Sequence, residues 1–365
     1  MQATTTKIIT SIFILIISII TTSIVWSCTG IQLKAKDGSF VSARTVEFGI
    51  NLNISGIFVP RNYDFKGTLP DGTPGLIYRS KYAAVGGNMF GEQAIADGLN
   101  EKGLSIGAFY FPGYASYATI TPENKNRALS PTEFSNWVLT QFASVDEVKQ
   151  GIQSVVIAPT TPKGWPVLPP FHYVVYDKMG NSIVIEPMNG GFKIYDNPLG
   201  VMTNSPTFDW HLTNLTNYIN LSPVNTPPVT INGLKLQAFG QGEGMHGLPG
   251  DFTSPSRFVR AAIFSSTAIP TDNADQNVLQ AFHILNQFDI PMGASRSIEK
   301  TGIDAEYTLA TTVKDSQNLK YYFRTYGDQN IKMVNLNSFD LNSKTIKTYP
   351  MNSSQTVQDI SSTAQ

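Results

Sequence analysis

Residues 28–48, CTGIQLKAKDGSFVSARTVEF, predict an antiparallel hairpin at the start of the folded chain. Asp37-Gly38, near the middle of this stretch, is a favoured two-residue turn for joining antiparallel strands. With those two residues as the turn, Lys36 pairs with Ser39. This pair then sets the register of every residue along the two strands.

The predicted register brings an acidic side chain to Cys28, which is the only cysteine of the chain. Counting outward from the turn places Cys28 opposite Glu47, and directly opposed residues have Cβ atoms about 5 Å apart. Arg44 comes three residues before Glu47, so strict alternation puts it on the other face of the strand. A bulge or a bent side chain would be needed to bring Arg44 to Cys28.

Residues 1–27 predict a secretory signal peptide, and hence an exported protein, periplasmic or secreted. Lys7 supplies a weakly basic start, residues 8–25 are mostly apolar, and Ser27 is a small residue at the expected cut. Cleavage after Ser27 would make Cys28 the first residue of the mature protein. A thiol and a free α-amino group would then share one residue, which makes a nucleophile with its own base. An α-amino group with a pKa of about 8 is partly neutral at pH 7 and can take the thiol proton.

Two other interpretations of Cys28 stay open at this point. A lone cysteine is often a small buried hydrophobic residue. The segment Val25-Trp-Ser-Cys28 also resembles a lipoprotein processing site, in which the cysteine carries lipid and serves only as a membrane anchor. Trp26 fits such a site poorly.

The composition indicates a globular protein and argues against several classes of partner. The chain has 365 residues and a net charge of −1, with 41% hydrophobic and 15% charged residues and no basic or acidic block. Nucleic acid and anionic membrane surfaces are therefore poor candidates as partners. The histidines show no metal-ligand spacing, and no glycine cluster forms a phosphate loop. The four histidines are His172, His211, His246 and His283.

The remaining pattern predicts one α+β domain over residues 28–345 and a polar tail over residues 346–365. Residues 130–133 form a capping box with proline at the first helical position, so a helix begins there. Two more helices are predicted over residues 254–264 and 272–288, and strands precede, separate and follow the helices. This order predicts layered sheets with helices outside.

Asn204 and Arg257 are further candidates for a reactive site. The Asn204 amide could donate to a developing oxyanion, an interaction worth on the order of 3 kcal/mol in a transition state, although Asn-Ser-Pro is also ordinary turn chemistry. Arg257 lies in the first turn of a predicted helix, where the helix dipole disfavours a cation. It therefore needs a carboxylate or thiolate partner, unless it is a solvated surface residue.

Several short motifs, in this order and spacing, resemble the choloylglycine hydrolases. This family of N-terminal-nucleophile enzymes includes penicillin V acylases and conjugated bile salt hydrolases, and the resemblance runs from Cys28 to about Asn337. Its marks are Cys28-Thr-Gly, Ala43-Arg-Thr-Val-Glu47, Asn100-Glu-Lys-Gly-Leu-Ser105, Phe109-Tyr-Phe-Pro-Gly-Tyr114, Thr203-Asn-Ser-Pro206, Gly247-Leu-Pro-Gly-Asp-Phe-Thr253 and Ser256-Arg-Phe-Val-Arg260.

The resemblance implies that Cys28 is the nucleophile and that its α-amine is the base. Arg44 would lie close to the sulfur and favour the thiolate, and Arg257 would complete the charged cluster. Where many members have an aspartate that orients the amine, this chain has Glu47, whose longer side chain can make the same contact.

The resemblance also implies an oxyanion hole made by Asn204 and the backbone N–H of Tyr110. The family fold is a four-layer αββα sandwich, and no cofactor is needed. Many members are homotetramers joined partly by a long extension between the asparagine and arginine motifs. Residues 207–250 leave room for such an extension.

The substrate implied by the resemblance is a small-molecule N-acyl amide, and its identity stays open. Tyr110 precedes Phe111-Pro112, where bile salt hydrolases often have asparagine, and this favours penicillin V acylase-like substrates with an aromatic acyl group. Glycine- or taurine-conjugated bile salts, N-acyl homoserine lactones, and a non-catalytic anchored lipoprotein are the alternatives. Aromatic residues that could line an acyl pocket, although core packing is their ordinary role, are Phe58, Tyr63, Phe65, Phe109 and Tyr114.

Overall fold

The computed structural model describes residues 27–299 and 302–363. The predicted signal peptide, apart from Ser27, therefore lies outside the described residues.

The described residues form α-helices and mostly antiparallel strands. The strands are β1 (Cys28–Lys34), β2 (Phe40–Phe48), β3 (Ser55–Val59), β4 (Asp64–Thr68), β5 (Pro74–Arg79), β6 (Ala84–Asn88), β7 (Asp97–Asn100), β8 (Ser105–Tyr110), β9 (Ala128–Leu129), β10 (Val156–Ile157), β11 (Phe171–Tyr176), β12 (Ser182–Met188), β13 (Gly191–Asp196), β14 (Val229–Ile231), β15 (Leu234–Leu236), β16 (Ser295–Glu299), β17 (Gly302–Asp315), β18 (Lys320–Thr325), β19 (Asp328–Asn335) and β20 (Lys347–Pro350). The helices are α1 (Pro131–Gln141), α2 (Val145–Gly151), α3 (Phe208–Leu215), α4 (Ser254–Thr267) and α5 (Ala274–Leu285).

Two large antiparallel sheets form the centre of the fold. One has the order β1-β2-β17-β18-β19, with β16 also paired to β17, and the other has the order β13-β12-β11-β8-β7-β6-β3-β20. Phe58, Val85 and Leu99 of the second sheet pack against Tyr321 and Phe323 of the first, so the sheets face each other.

Helices cover the outer face of each sheet. Helix α1 packs on β7 and β8, whereas α4 packs on β1 and α5 on β1, β2 and β17. The layers are therefore helix, sheet, sheet and helix. This arrangement confirms the predicted four-layer αββα sandwich of the α+β class.

The first hairpin forms as predicted, but its register differs by one residue. Ala35 and Ser39 close the turn through the Ala35 N–H and the Ser39 carbonyl (2.9 Å), so the loop has three residues and not two. Gly38 has φ 88° there, a left-handed conformation that such a three-residue loop requires. Backbone bonds from Lys36 and Asp37 to residues 271–272 tie the loop to the start of α5, a tertiary contact that the local sequence does not reveal.

The corrected register pairs Cys28 with Val46 and not with Glu47. Arg44 lies two residues from Val46 and therefore shares the face of Cys28, so no bulge is needed to bring it there. Glu47 instead comes opposite Ser27, and its N–H donates to the Ser27 carbonyl at 3.1 Å.

The predicted helices form, and the structure adds strands β3, β4, β5 and β6 in a stretch whose prolines and glycines predict loops. Ser130 and Glu133 form the predicted capping box of α1, each side chain accepting from the other residue's backbone N–H. Residues 207–250 contain helix α3 and the small hairpin β14–β15. In the predicted tail, β20 adds an edge strand beside β3, and Met351 after it is buried.

Candidate active site

Cys28 lies at the start of β1 and is buried, with 5% of its surface exposed. Its backbone N–H donates to Asn204 Oδ1 at 2.6 Å, and its carbonyl accepts from Arg257 Nη1 at 2.5 Å. The first residue of the edge strand is thus bound on both sides by side chains that come from distant parts of the chain.

The Asn204 side chain has one orientation, because both of its amide atoms have defined partners. Its Oδ1 accepts from the Cys28 N–H and from Arg257 Nη2 (2.8 Å), so Nδ2 is the donor, and it binds the Tyr110 carbonyl at 2.8 Å. An amide nitrogen has two protons, so the bond to the Tyr110 carbonyl leaves the second Nδ2 proton for another acceptor.

Tyr110 ends β8 and is largely buried. The next residue, Phe111, donates its N–H to the Pro170 carbonyl on the β11 side (2.6 Å). Because successive backbone groups of a strand point to opposite edges, the N–H and C=O of Tyr110 face away from β11, towards Asn204.

Arg44 lies between the two sheets. Its Nη1 donates to the Ala108 carbonyl (2.5 Å), and its guanidinium lies 4.0 Å from the centre of the Phe109 ring. Nη2 has no hydrogen-bond partner among the described residues, and the Arg44 charge acts on the Cys28 thiol. Behind Arg44, the buried Asp97 carboxylate binds Lys314 Nζ at 2.7 Å and also acts on the Arg44 charge.

Glu47 is fully buried on β2, the strand on which α5 packs. Burial raises the pKa of its carboxyl to about 8, against the opposing effects of the Arg257 and Arg44 charges. Thr308 Oγ1 donates to Glu47 Oε1 at 3.3 Å, whereas Oε2 has no hydrogen-bond partner in the part of the chain that the structure describes. A buried carboxyl oxygen without a partner is costly and calls for an explanation.

Ser27, which precedes Cys28, is held by two acidic residues. Its N–H donates to the side chain of Glu306, and its carbonyl accepts from the Glu47 N–H. Glu306 lies on β17 next to β2 and is buried. No sequence signal pointed to Glu306, because only the pairing of β17 with β2 brings it near Cys28.

The thiol of Cys28 is held in its neutral form. Burial raises the pKa of this thiol, and the Glu47 charge acts in the same direction, while the charges of Arg44 and Arg257 oppose both. A separate base is therefore needed to make the thiolate.

The six candidate site residues form a single cluster: Cys28, Arg44, Glu47, Tyr110, Asn204 and Arg257. Within it, the Cys28 N–H contacts Asn204 and not Glu47. A sequence profile of the family described as linear amide C–N hydrolases, choloylglycine hydrolase family, matches residues 28–349. The chain belongs to this family.

Individual relatives agree with this membership of the choloylglycine hydrolase family. The chain is 35% identical over 335 residues to the bile salt hydrolase/transferase of Clostridium perfringens, covering 91% of this chain and 99% of that protein. It is 29% identical over 282 residues to the penicillin V acylase of Pectobacterium atrosepticum, covering 72% and 68%. A crystal structure of a conjugated bile acid hydrolase variant from Clostridium perfringens superposes with a TM-score of 0.82 at 33% identity, covering 91% and 99%.

As a choloylglycine hydrolase family member, the protein is a hydrolase that acts on linear amides of small molecules. The predicted family resemblance is thereby confirmed. Within the described residues, no group of three or more His, Cys, Asp or Glu side chains could hold a metal ion. None of the described helices has the length and apolar character to cross a membrane.

The aromatic candidates for an acyl pocket have different locations from each other. Phe109 lies beneath Arg44, Phe58 packs between the sheets, and the Tyr63 and Phe65 rings contact each other at a tilt of 57° at the β4 hairpin. Tyr114 is exposed against Phe111. Cys28 itself belongs to an apolar cluster that includes Ile31, Phe109 and Val174. Its pairing partner Val46 belongs to a second cluster, whose members include Phe48, Tyr110, Trp165 and Phe171.

Proposed function

We propose that this protein is an N-terminal-nucleophile amidase in which Cys28, freed of the residues before it, attacks the amide carbonyl of an N-acyl substrate. One observation carries the proposal: the Cys28 N–H, Asn204 and Arg257 form a closed hydrogen-bonded unit around the future N-terminus. The family match, which begins at Cys28, supports the same starting residue for the mature protein.

The unsatisfied oxygen of Glu47 supports a role in binding the freed α-amine. The peptide nitrogen of Cys28 has one proton, which Asn204 Oδ1 accepts. Cleavage creates an ammonium group with three protons, so additional acceptors are then needed. Glu47 Oε2 is buried, lacks a partner among the described residues, and is close enough for the Glu47 charge to act on Cys28.

The reaction follows from these assignments. The α-amine takes the proton of the Cys28 thiol, and the thiolate adds to the substrate carbonyl. Asn204 Nδ2 and the Tyr110 N–H stabilise the oxyanion, while Arg44 and Arg257 favour the negative charge near Cys28. The α-ammonium protonates the leaving amine as the C–N bond breaks. Water, deprotonated by the same amine, cleaves the thioester and releases the acid.

The substrate class is an N-acyl amide, and two acyl groups compete. The name of the Clostridium perfringens relative favours bile salts, whereas Tyr110 favours an aromatic acyl group as in penicillin V. A panel of glycocholate, taurocholate, penicillin V and an N-acyl homoserine lactone therefore tests which acyl group the enzyme accepts. Ranking kcat/KM across the panel assigns the substrate.

Export and self-assembly are parts of the same proposal. The leader sequence supports export, with no membrane attachment after processing. Assembly is supported by the hairpin β14–β15, in which Val229 pairs with Leu236 and Ile231 with Leu234. All four side chains are exposed, and an isolated two-stranded hairpin with a bare apolar face is at best marginally stable in water. We infer that this face is covered in a homotetramer.

Replacing Cys28→Ser tests the nucleophile directly. The variant should keep its melting temperature and lose nearly all turnover, because a serine hydroxyl lacks the nucleophilicity of the thiolate. Full turnover by Cys28→Ser would overturn the mechanism. The intact mass of the purified parent is the companion measurement. A chain starting at unmodified Cys28 supports a free amine, whereas a lipid on Cys28 would support the anchored lipoprotein instead.

A further inference from the structure

Two buried histidines hold the backbone on either side of the Asn204 side chain. His172 Nε2 lies 3.0 Å from the Thr203 carbonyl, and His211 Nε2 lies 2.9 Å from the Asn204 carbonyl. His172 comes from β11 and His211 from α3, so consecutive carbonyls are bound from a sheet and from a helix. The Asn204 N–H is also bound, by Ser254 Oγ at 2.9 Å.

Both rings act as neutral donors. A carbonyl oxygen can only accept, so Nε2 carries the proton in each ring. Burial lowers the pKa of both imidazoles, that of His211 to about 4, and this keeps them neutral at pH 7. Their Nδ1 atoms have no hydrogen-bond partner among the residues described; the nearest carboxylate to His172 Nδ1, that of Glu186, is 3.8 Å away.

Each ring also stacks on an aromatic residue that directly follows one of the candidate site residues in the sequence. His172 stacks on Phe111 (centroids 4.2 Å apart, planes at 12°), and Phe111 follows Tyr110. His211 stacks on Phe258 (4.7 Å, 10°), and Phe258 follows Arg257. The imidazoles therefore link the Asn204 backbone to the segments that carry the other groups around Cys28.

We propose that His211, with His172 in support, is a positioning residue that aims the Asn204 amide at the developing oxyanion. This inference rests on the proposed function, because it needs Asn204 as an oxyanion donor. The amide is bound tightly on the Cys28 side, so a small shift of its backbone would move Nδ2 away from the reacting carbonyl. Misalignment of this kind affects the transition state more than the ground state.

The test is a double-mutant cycle on the processed enzyme with its best panel substrate. Asn204→Ala should lower kcat about 100- to 1,000-fold, the usual loss for one oxyanion donor. His211→Ala should lower kcat about 10- to 100-fold with less than about a threefold change in KM, as expected for partial loss of that donor. In the Asn204→Ala background, His211→Ala should cost less than about threefold more, since residues that act through one another are non-additive. His211→Gln, which can place an amide N–H near the Nε2 position, should recover most of the rate.

Controls separate positioning from stability. Tyr173→Phe removes a comparable buried bond, from Tyr173 OH to the Pro131 carbonyl (2.7 Å), and should lower the melting temperature without lowering kcat. If His211→Ala does not fold, His211→Phe keeps the stack on Phe258 and removes only the donor, and the cycle is run with it.

The outcomes distinguish a failure of the positioning inference from a failure of the proposed function. If Asn204→Ala loses rate and the His211 effect persists in full beside it, or if His211→Ala keeps full kcat, then His211 does not act through Asn204 and only the positioning inference fails. If Asn204→Ala itself keeps full rate, the oxyanion assignment in the proposed function fails first, and the positioning role fails with it.

Discussion

Glu47 is a fully buried carboxyl whose pKa is raised by burial and lowered by the charges of Arg257 and Arg44. The sequence predicts it beside Cys28, and the structure places it in the same buried cluster. Its direct partner there is Ser27, because the true register is one residue away from the predicted one. The dipeptide Asp37-Gly38 fits both a two-residue and a three-residue loop, and the longer loop makes backbone bonds to residues 271–272 that no local pattern contains.

Glu47 substitutions test the amine-binding role. Glu47→Gln should lower kcat/KM about 100-fold, because a neutral amide orients the base but does not favour its ammonium form during leaving-group protonation. Glu47→Asp should retain more activity, since it keeps the charge on a shorter side chain. Steady-state kinetics on the best panel substrate measures both.

The matched control for Glu47 is Glu101→Gln. Glu101 is a carboxylate paired with Arg61, away from the active-site cluster, and its loss should leave kcat/KM unchanged. Unchanged kinetics of Glu47→Gln in a correctly processed enzyme would show that Glu47 does not hold the amine.

Elements were predicted more reliably than contacts between them. The starts of α1 and α4 were both predictable, because a capping box and a proline in the first helical turn are local signals. The hairpin β14–β15 was not, because its strands have three residues each and lie within a long polar segment. The sequence indicated that residues 203–206 belong to the reactive site. The hydrogen bonds from His172 and His211 to this segment could not be predicted, because they come from elements that meet only in the folded chain.

The apolar face of β14–β15 gives a prediction at this scale. Replacing Ile231→Ser and Leu234→Ser together should lower the solution mass from a tetramer to a smaller species, as measured by light scattering after size-exclusion chromatography. These two side chains are paired, exposed and apolar, so their loss removes much of the surface that a neighbour would cover.

The opposite face of the same hairpin supplies the control. Thr230 pairs with Lys235 there, and Thr230→Ser with Lys235→Gln should leave the mass unchanged. A tetramer that survives the double serine change would exclude this face as the main contact, and a monomeric parent would exclude the tetramer itself.

At the scale of the whole molecule, the candidate site exists only because two sheets and a helix meet. Cys28 and Arg44 come from one sheet, Tyr110 from the other, and Arg257 from α4. The sequence order predicted the four layers, since alternating blocks of strands and helices have few packing solutions. It could not predict Glu306 or Asp97 near the site, because long-range strand pairing decides both positions.

Processing at Cys28 should also change how the stability of the whole molecule depends on pH. With Ser27 retained, burial raises the pKa of Glu47 to about 8 and that of Glu92 to about 7, both above the usual value of 4.5. These two carboxyls therefore bind more protons in the folded chain than in the unfolded chain between about pH 5 and pH 8, and their contribution to stability falls as pH rises through this window. Burial lowers the pKa of His172 and His211, so these two residues act in the opposite sense below their ordinary pKa of 6.5.

A pair of unprocessed chains tests this linkage. Cys28→Ala, with Ser27 verified by intact mass, removes the thiol titration, and its free energy of unfolding in urea should fall between about pH 6.5 and pH 8, where the histidines are neutral in both states, by at most a few kcal/mol. Adding Glu47→Gln should flatten much of the slope and leave the part due to Glu92 and to Glu306, whose pKa burial also raises. In the processed enzyme the α-ammonium favours ionised Glu47, so the slope should again be shallow. An equal slope in all three proteins would mean that Glu47 is already ionised before processing, and that cleavage supplies it with no new partner.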